Sequence, residues 1–247
     1  MSKRTSKKTA IVTGAAKRIG AAIARELHNM GMDVVIHFNS SKADADLLAQ
    51  ELNAKRPDSA HMLQADLKQT SACNTLIEQA YAINNRLDVL INNASIFYPT
   101  PLQECTLDKW DELINVNLTA PFFLIQAAAP YLAKSGGNII NLTDIYAEQP
   151  LANHAGYNIS KAGLIMLTKS LAKELGPDVR VNAISPGAIL WHEDMNEIEK
   201  NNILASTALK KQGVVQDIAN AVRYLVEHAN YTTGQVLVID GGRSLYS

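Results

Sequence analysis

Thr9–Gly20 reads Thr-Ala-Ile-Val-Thr-Gly-Ala-Ala-Lys-Arg-Ile-Gly, and this stretch decides the fold. Its first part, Thr9–Thr13, is a short β-branched run of the kind that lies buried on both faces of a sheet. From Arg18 to Met30 the apolar residues recur at helical spacing. Between them a turn of small residues opens the helix, so backbone N–H groups and the positive end of the helix dipole face outward. Gly14 permits the tight turn and Gly20 a close helix–strand contact. Such a turn suits a pyrophosphate. An ordinary strand–helix turn with two glycines has the same letters, and the fingerprint alone is weak.

The same strand–helix alternation runs outward from that stretch. Strands are expected at Asp33–His37, Ala60–Gln64, Leu87–Ile91, Asn138–Leu142, Val179–Ile184 and Gln235–Ile239. Helical periods cover Lys42–Lys55, Ser71–Ile83, Ala162–Glu174 and Val215–His228. Apolar strands separated by helices imply a parallel sheet covered on both faces. The expectation is an α/β chain: a basic tail at 1–8, then one doubly wound Rossmann-type domain at 9–247 with a seven-stranded parallel sheet. Such sheets bind ligands at the carboxyl ends of their strands, so polar residues just after a strand become site candidates.

Composition excludes other classes. The 247 residues are 47% hydrophobic and carry 23 basic against 24 acidic side chains, which fits neither a disordered chain nor a dedicated nucleic-acid binder. Two lone cysteines, Cys73 and Cys105, make neither a disulfide scaffold nor a metal motif and read as small structural thiols. The apolar windows Pro121–Pro130 and Ala162–Leu167 fall short of the roughly 18 residues a membrane helix needs. The tail, with Lys3, Arg4, Lys7 and Lys8, lacks the apolar region of a secretory signal, and a cytoplasmic location is expected. The histidines share no ligand spacing, so no metal is expected.

Three segments bear on chemistry. After the second strand come His37, Phe38, Asn39, Ser40 and Ser41, with no carboxylate before Asp44. Enzymes that prefer NAD place an acidic residue there to bond the ribose. Asn39, Ser40 and Ser41 instead offer donors to a 2′-phosphate, with Arg18 and Lys42 adding positive charge, which argues for NADPH. Ser40 or Ser41 also reads as a helix N-cap. Asp66 and Leu67 follow the third strand, where an adenine amino group would lie. Tyr157 and Lys161, at i and i+4, share a helix face. At about 5 Å and an effective dielectric of about 20, the ammonium would favour the phenolate by roughly two pKa units. On its own, a Y-x-x-x-K pattern is most often a surface pair.

Taken in order, TGxxxxxG at Thr13–Gly20, Asn92-Asn93-Ala94, Asn117 in a helix, Tyr157-x-x-x-Lys161 and Pro186-Gly187 resemble the short-chain dehydrogenase/reductase family over about Lys8–Leu245. The resemblance implies nicotinamide-dependent hydride transfer, a catalytic set of Asn117, Tyr157 and Lys161, and a homotetramer. It places the cofactor against Gly14, Lys17, Arg18, Ile19 and Gly20, then His37, Asn39, Ser40, Ser41, Asp66 and Leu67. Further cofactor contacts are Asn93, Ala94, Ser95, Tyr157, Lys161, Pro186 and Gly187.

Departures from the general pattern narrow the reading. Arg18 stands where the fingerprint has glycine, Asp144 replaces the catalytic serine ahead of Tyr157, and NNAG has become NNAS, continuing Ile96-Phe97-Tyr98-Pro99-Thr100-Pro101. These features, with the ending Asp240-Gly241-Gly242, are similar to the pteridine reductase branch. Dihydromonapterin reductases share the Arg and Asp but match the Phe97 segment less well. The resemblance implies Arg18, Ser95, Phe97, Asp144 and Tyr157 as substrate contacts. Phe97 would stack on one face of a pterin, and Ser95 and Arg18 would bond its polar edge. Leu190 and Trp191, in the loop Gly187–Met195, would close over it. Reducing a C=N bond requires a proton at nitrogen. An ionised Asp144 would raise the Tyr157 pKa, so the two are expected to share a proton and to give an acid-shifted optimum.

Two alternatives stay open: a general reductase of oxoacyl thioesters or ketones, and a non-catalytic cofactor-binding protein. An ionised Asp144 would repel a carbonyl oxyanion, which argues against the first. Trp110, spaced with Leu107, Leu113 and Ile114, reads as a core or subunit-contact residue. Arg180 reads as marking a strand edge, and Arg243–Ser247 as approaching a neighbouring subunit.

Overall fold

The computed structural model describes residues 7–191 and 195–246. The basic tail up to Ser6, His192–Asp194 of the expected substrate loop, and Ser247 lie outside the described residues.

The strands are β1 (Thr9–Val12), β2 (Asp33–Phe38), β3 (Ala60–Gln64), β4 (Val89–Asn92), β5 (Asn138–Leu142), β6 (Arg180–Pro186) and β7 (Val236–Ile239). The helices are α1 (Arg18–Asn29), α2 (Lys42–Lys55), α3 (Thr70–Asn84), α4 (Leu107–Ile114), α5 (Ala120–Ser135), α6 (Ala155–Leu175), α7 (Glu197–Ala205) and α8 (Val215–Glu227). All seven strands form one parallel sheet in the order β3-β2-β1-β4-β5-β6-β7. This is the expected doubly wound architecture.

Successive strand residues point to opposite faces, and the sequence sorts accordingly. Ala10 and Val12 of β1 pack with Val34, Ile36 and Ile91 under α1, α2 and α8, through Ile23, Leu27, Leu52 and Val222. Ile11, between them, packs with Val35, Leu90 and Ile139 under α3, α5 and α6, through Leu76, Leu124, Leu132 and Leu171. Ile11 pairs with Val35 on one side and Leu90 on the other. The chain therefore winds away from β1 in both directions, and a crevice opens at the carboxyl ends of β1 and β4.

Several expectations are corrected in detail. β4 begins at Val89, not Leu87, because Asp88 serves as an end piece. Its carboxylate accepts the Thr9 N–H at 2.9 Å and pairs with Arg86. β6 runs on to Pro186, which pairs with Ile239. Arg180 opens an interior strand, not an edge. Its guanidinium donates to the carbonyls of Leu225 and Ala229, both at 3.0 Å, at the end of α8. α7 was not expected, for it buries no side chain and shows no amphipathic period. Leu107 is exposed, although Leu113 of the same helix is fully buried and Trp110 partly so. Cys73 is buried, as a structural thiol would be, and Cys105 only partly.

α4, one turn of π-helix at Asn115–Thr119 and α5 join into a continuous helical run, Leu107–Ser135. By length and composition this run passes the test for a membrane span, contrary to the reading of its separate windows. Leu113, Ala120, Leu124, Ala128 and Leu132 are fully buried, so its apolar content serves the core.

Candidate active site

The crevice is a cavity of about 640 Å³ running from Ser40, Ser41 and Asp66 past Gly14–Gly20 to Phe97, Leu190 and Trp191. Its floor is built by the turn after β1. Gly14 and Arg18 both adopt left-handed backbone, with φ of +61° and +55°. That conformation explains why glycine suits position 18 in the general pattern, and why an arginine there is a costly departure. Thr13 Oγ1 accepts the N–H groups of Asn93 and Ala94, each at 2.9 Å. The Asn93 amide donates back to the carbonyls of Thr13 and Gly14. A side chain at position 20 would collide with the Gly14 carbonyl, and its Cβ would lie 2.6 Å from Asn93 Nδ2.

His37 completes this floor and is buried. Its Nδ1 accepts the Gly14 N–H at 3.0 Å, so Nε2 carries the proton and donates to the Ala65 carbonyl at 3.1 Å. Burial lowers its pKa to about 4. The ring stays neutral and braces the loop. α1 itself has no side-chain cap and no acidic residue in its first turn. Its leading N–H groups are thus left for a ligand, as a phosphate-binding helix requires.

Beyond β2, Asn39 and Ser40 are exposed, and the next carboxylate, Asp44, is paired with Lys17 at 2.9 Å. Lys17 lines the cavity with its charge already matched. Lys42 is not among the lining residues, so of the two cations expected here only Arg18 is brought to the wall. These groups fit the 2′-phosphate end of a dinucleotide.

At the other end, the Tyr157 hydroxyl donates to Asp144 Oδ2 at 2.9 Å. Asp144 caps the 3-10 turn Ile145–Ala147, its Oδ1 accepting the Tyr146 N–H at 2.9 Å. Burial raises the Asp144 pKa, opposed by those two donors and by the charges of Lys161 and Arg243. Tyr157 is 5% exposed, and burial and the Asp144 charge push its pKa well up. Of the two opposed effects expected on the phenol, the pull of Lys161 toward phenolate and the push of Asp144 away from it, the second is the larger. Lys161 lies 5.7 Å from the phenol ring and gives its hydrogen bond to the Leu142 carbonyl at 2.9 Å, while the carboxylate touches the hydroxyl. Burial lowers the Lys161 pKa to about 8.

Asn117 falls in the π-helical turn and is not part of the cavity wall. Its amide bonds the N–H and carbonyl of Ile96 at 2.9 and 3.0 Å, the Ser95 hydroxyl at 3.2 Å and the Ser160 hydroxyl at 3.1 Å. It thereby fixes the Ser95–Phe97 segment. Phe97 is 41% exposed and sits edge-on to Tyr157, with centroids 4.8 Å apart. His154 stacks on it at 4.8 Å and 14°. Pro186, Gly187, Ile19, Leu67, Ala94, Leu190 and Trp191 all line the cavity as expected.

Sequence reasoning missed Tyr146, Met195, Ile203 and Arg243, which also line it. Arg243 donates to the Tyr146 hydroxyl of its own chain at 3.0 Å, across 97 residues of sequence. The C-terminal turn thereby docks on the site of its own chain, and no local pattern announces that contact. Among the described residues no group of three or more His, Cys, Asp or Glu side chains could hold a metal.

Comparison with known proteins supports the geometry. A family model described as enoyl-(acyl carrier protein) reductase matches residues 14–244. Pteridine reductase 1 of Leishmania tarentolae is 35% identical, with 96% of each chain covered. The 3-oxoacyl-acyl-carrier-protein reductase of Staphylococcus aureus is also 35% identical, over 95% of this chain and 97% of its own. So is an uncharacterised oxidoreductase of Methylorubrum extorquens, over 95% of this chain and 97% of its own. A matching family model over nearly the whole chain, relatives at this identity and a doubly wound sheet with its crevice at β1 and β4 together place the chain among the oxidoreductases of the short-chain dehydrogenase/reductase family.

Proposed function

We propose that this oxidoreductase reduces pteridines with NADPH, turning dihydropterin, dihydrobiopterin or dihydrofolate into the tetrahydro form. The observation that carries the reading is the 2.9 Å hydrogen bond between Tyr157 and Asp144. A carboxyl group stands where a carbonyl reductase of this family would have a serine hydroxyl. The match to pteridine reductase 1, with Ser95 and Phe97 beside the phenol, supports it. The donors at Asn39–Ser41 and a matched Asp44 favour the phosphorylated dinucleotide.

When bound, the reduced nicotinamide supplies the hydride. The chain supplies the rest. Phe97 stacks on the flat ring and Ser95 and Arg18 bond its edge. Lys161 and the N-terminal groups of α1 hold the cofactor. Tyr157 gives its proton to the ring nitrogen. While Asp144 is ionised it accepts that proton and keeps it from the substrate. When protonated it donates to the phenol oxygen and releases the phenol proton for transfer. Because burial raises the Asp144 pKa, the proton-loaded pair persists above the ordinary carboxylate range. Reduction therefore slows as pH rises through the apparent pKa of the pair. The same reading carries a homotetramer, which light scattering tests.

A second reading, reduction of 3-oxoacyl thioesters, is favoured by the equal 35% identity to the Staphylococcus aureus enzyme. The test is NADPH oxidation with dihydrobiopterin, dihydrofolate and an acetoacetyl thioester, for wild type and Asp144→Ser. The expected result is pterin turnover by wild type with an acid-side optimum, lost in the variant. Turnover of the thioester alone, kept or improved in Asp144→Ser, overturns the pteridine reading. A flat rate between about pH 5 and 8, with hydride transfer limiting, overturns the proton role.

A further inference from the structure

Of the Lys and Arg side chains among the described lining residues, Lys17 and Lys68 are paired with Asp44 and Glu112, and Arg18 and Lys161 have tasks in the reaction as derived, which leaves one cation without either. Arg243 lies in the 3-10 turn Arg243–Leu245, just after β7, and lines the cavity with Tyr146, Leu190 and Met195. The turn is held in place. The Asp240 carboxylate accepts the N–H groups of Gly242 and Ser244 at 2.8 and 2.7 Å, and the Gln149 amide donates to the Ser244 carbonyl. The guanidinium lies 5.5 Å from the centre of the Tyr146 ring and gives one hydrogen bond to its hydroxyl. Both Asp144 oxygens are taken, by Tyr157 and by the Tyr146 N–H. Among the described residues Arg243 makes no ion pair. A guanidinium has five N–H donors, so four remain, on a group already stripped of rotational freedom by the tyrosine.

We propose that Arg243 is a specificity-determining residue that holds a carboxylate carried on a pterin outside the ring that is reduced. The assignment rests on the pteridine reading. A fixed guanidinium fork matches a carboxylate bidentately. Its distance from Asp144 is long enough to avoid an ion pair yet short enough for its charge to be felt there. An anionic tail would therefore be bound beside the proton-transfer pair without entering it.

The experiment compares three substrates. Dihydrofolate has the carboxylates, its dimethyl ester has the same tail without charge, and dihydrobiopterin has a short neutral tail. kcat and KM are measured for wild type, Arg243→Gln and Arg243→Lys. The expected result is a fall of roughly tenfold in the ratio of kcat/KM for dihydrofolate over dihydrobiopterin in Arg243→Gln. The fall lies in KM, since the tail is held equally before and during reaction. In wild type the ester behaves like the variant's dihydrofolate, raised salt erodes the preference, and Arg243→Lys keeps part of it. An unchanged ratio, an equal loss for both substrates, or a loss confined to kcat overturns the proposal. Wild type that turns over neither pterin fails at the earlier step and overturns the pteridine reading with it.

Discussion

His37 makes acid stability a direct readout of how the cofactor loop is built. The ring is 2% exposed and spends both nitrogens: Nδ1 accepts from Gly14 and Nε2 donates to Ala65. A second proton would sit on Nδ1, donor against donor, facing the Gly14 N–H in a site closed to water. The pKa accordingly falls from 6.5 to about 4. A base with a depressed folded pKa binds fewer protons folded than unfolded, so stability rises with pH across that window. The contribution is complete above 6.5 and is lost as pH falls toward 4. The difference, 6.5 − 4 = 2.5 units, corresponds to about 3 kcal/mol.

The assay is urea unfolding at a series of pH values from about 7.5 down to 4, for wild type and His37→Asn. Asparagine keeps an acceptor for Gly14 but cannot titrate. His28, whose pKa burial also lowers, acts in the same direction in both proteins and cancels in the difference. The wild type should lose about 3 kcal/mol more than the variant over the window. Parallel curves would refute the reasoning. At pH 5 only roughly a tenth of His37 is protonated, so the cofactor loop keeps its brace on the acid side, where the proposed function puts the fastest reduction.

Two further predictions concern the same loop. Arg18→Gly releases a left-handed residue, with a gain of about 1 kcal/mol set against the extra unfolded-state entropy of glycine. Chemical denaturation should show stability changed by less than about 1 kcal/mol while NADPH affinity, by fluorescence titration, falls roughly tenfold. A larger loss of stability would mean that Arg18 holds the fold and not the ligand. Gly20→Ala drives a Cβ into the Gly14 carbonyl, 2.6 Å from Asn93 Nδ2 and 2.9 Å from Ala15 Cα. It should cost more than about 2 kcal/mol and abolish cofactor binding, because backbone atoms cannot step aside. Retained binding at wild-type stability would contradict the described packing.

The alternation of β-branched runs with helical periods determined the sheet, its parallel sense and its two covered faces, because strand burial and helix periodicity are local properties of the chain. α7 escaped that reading since it buries nothing. The Leu107–Ser135 run escaped it because the helical continuity passes through polar positions such as Asn115 and Asn117. Motif spacing also marked most of the cavity wall, from Gly14 to Trp191. Identity and order, however, do not state distance. That Lys161 turns to the Leu142 carbonyl while Asp144 takes the Tyr157 hydroxyl decides which of the two opposed effects on the phenol prevails. That His37 braces Gly14, and that Asn117 stands behind the wall, follow from hydrogen bonds across 23 and 21 residues. Arg243 meets Tyr146 across 97. Such charges and hydrogen bonds depend on separation and burial in space, and only the folded chain sets those.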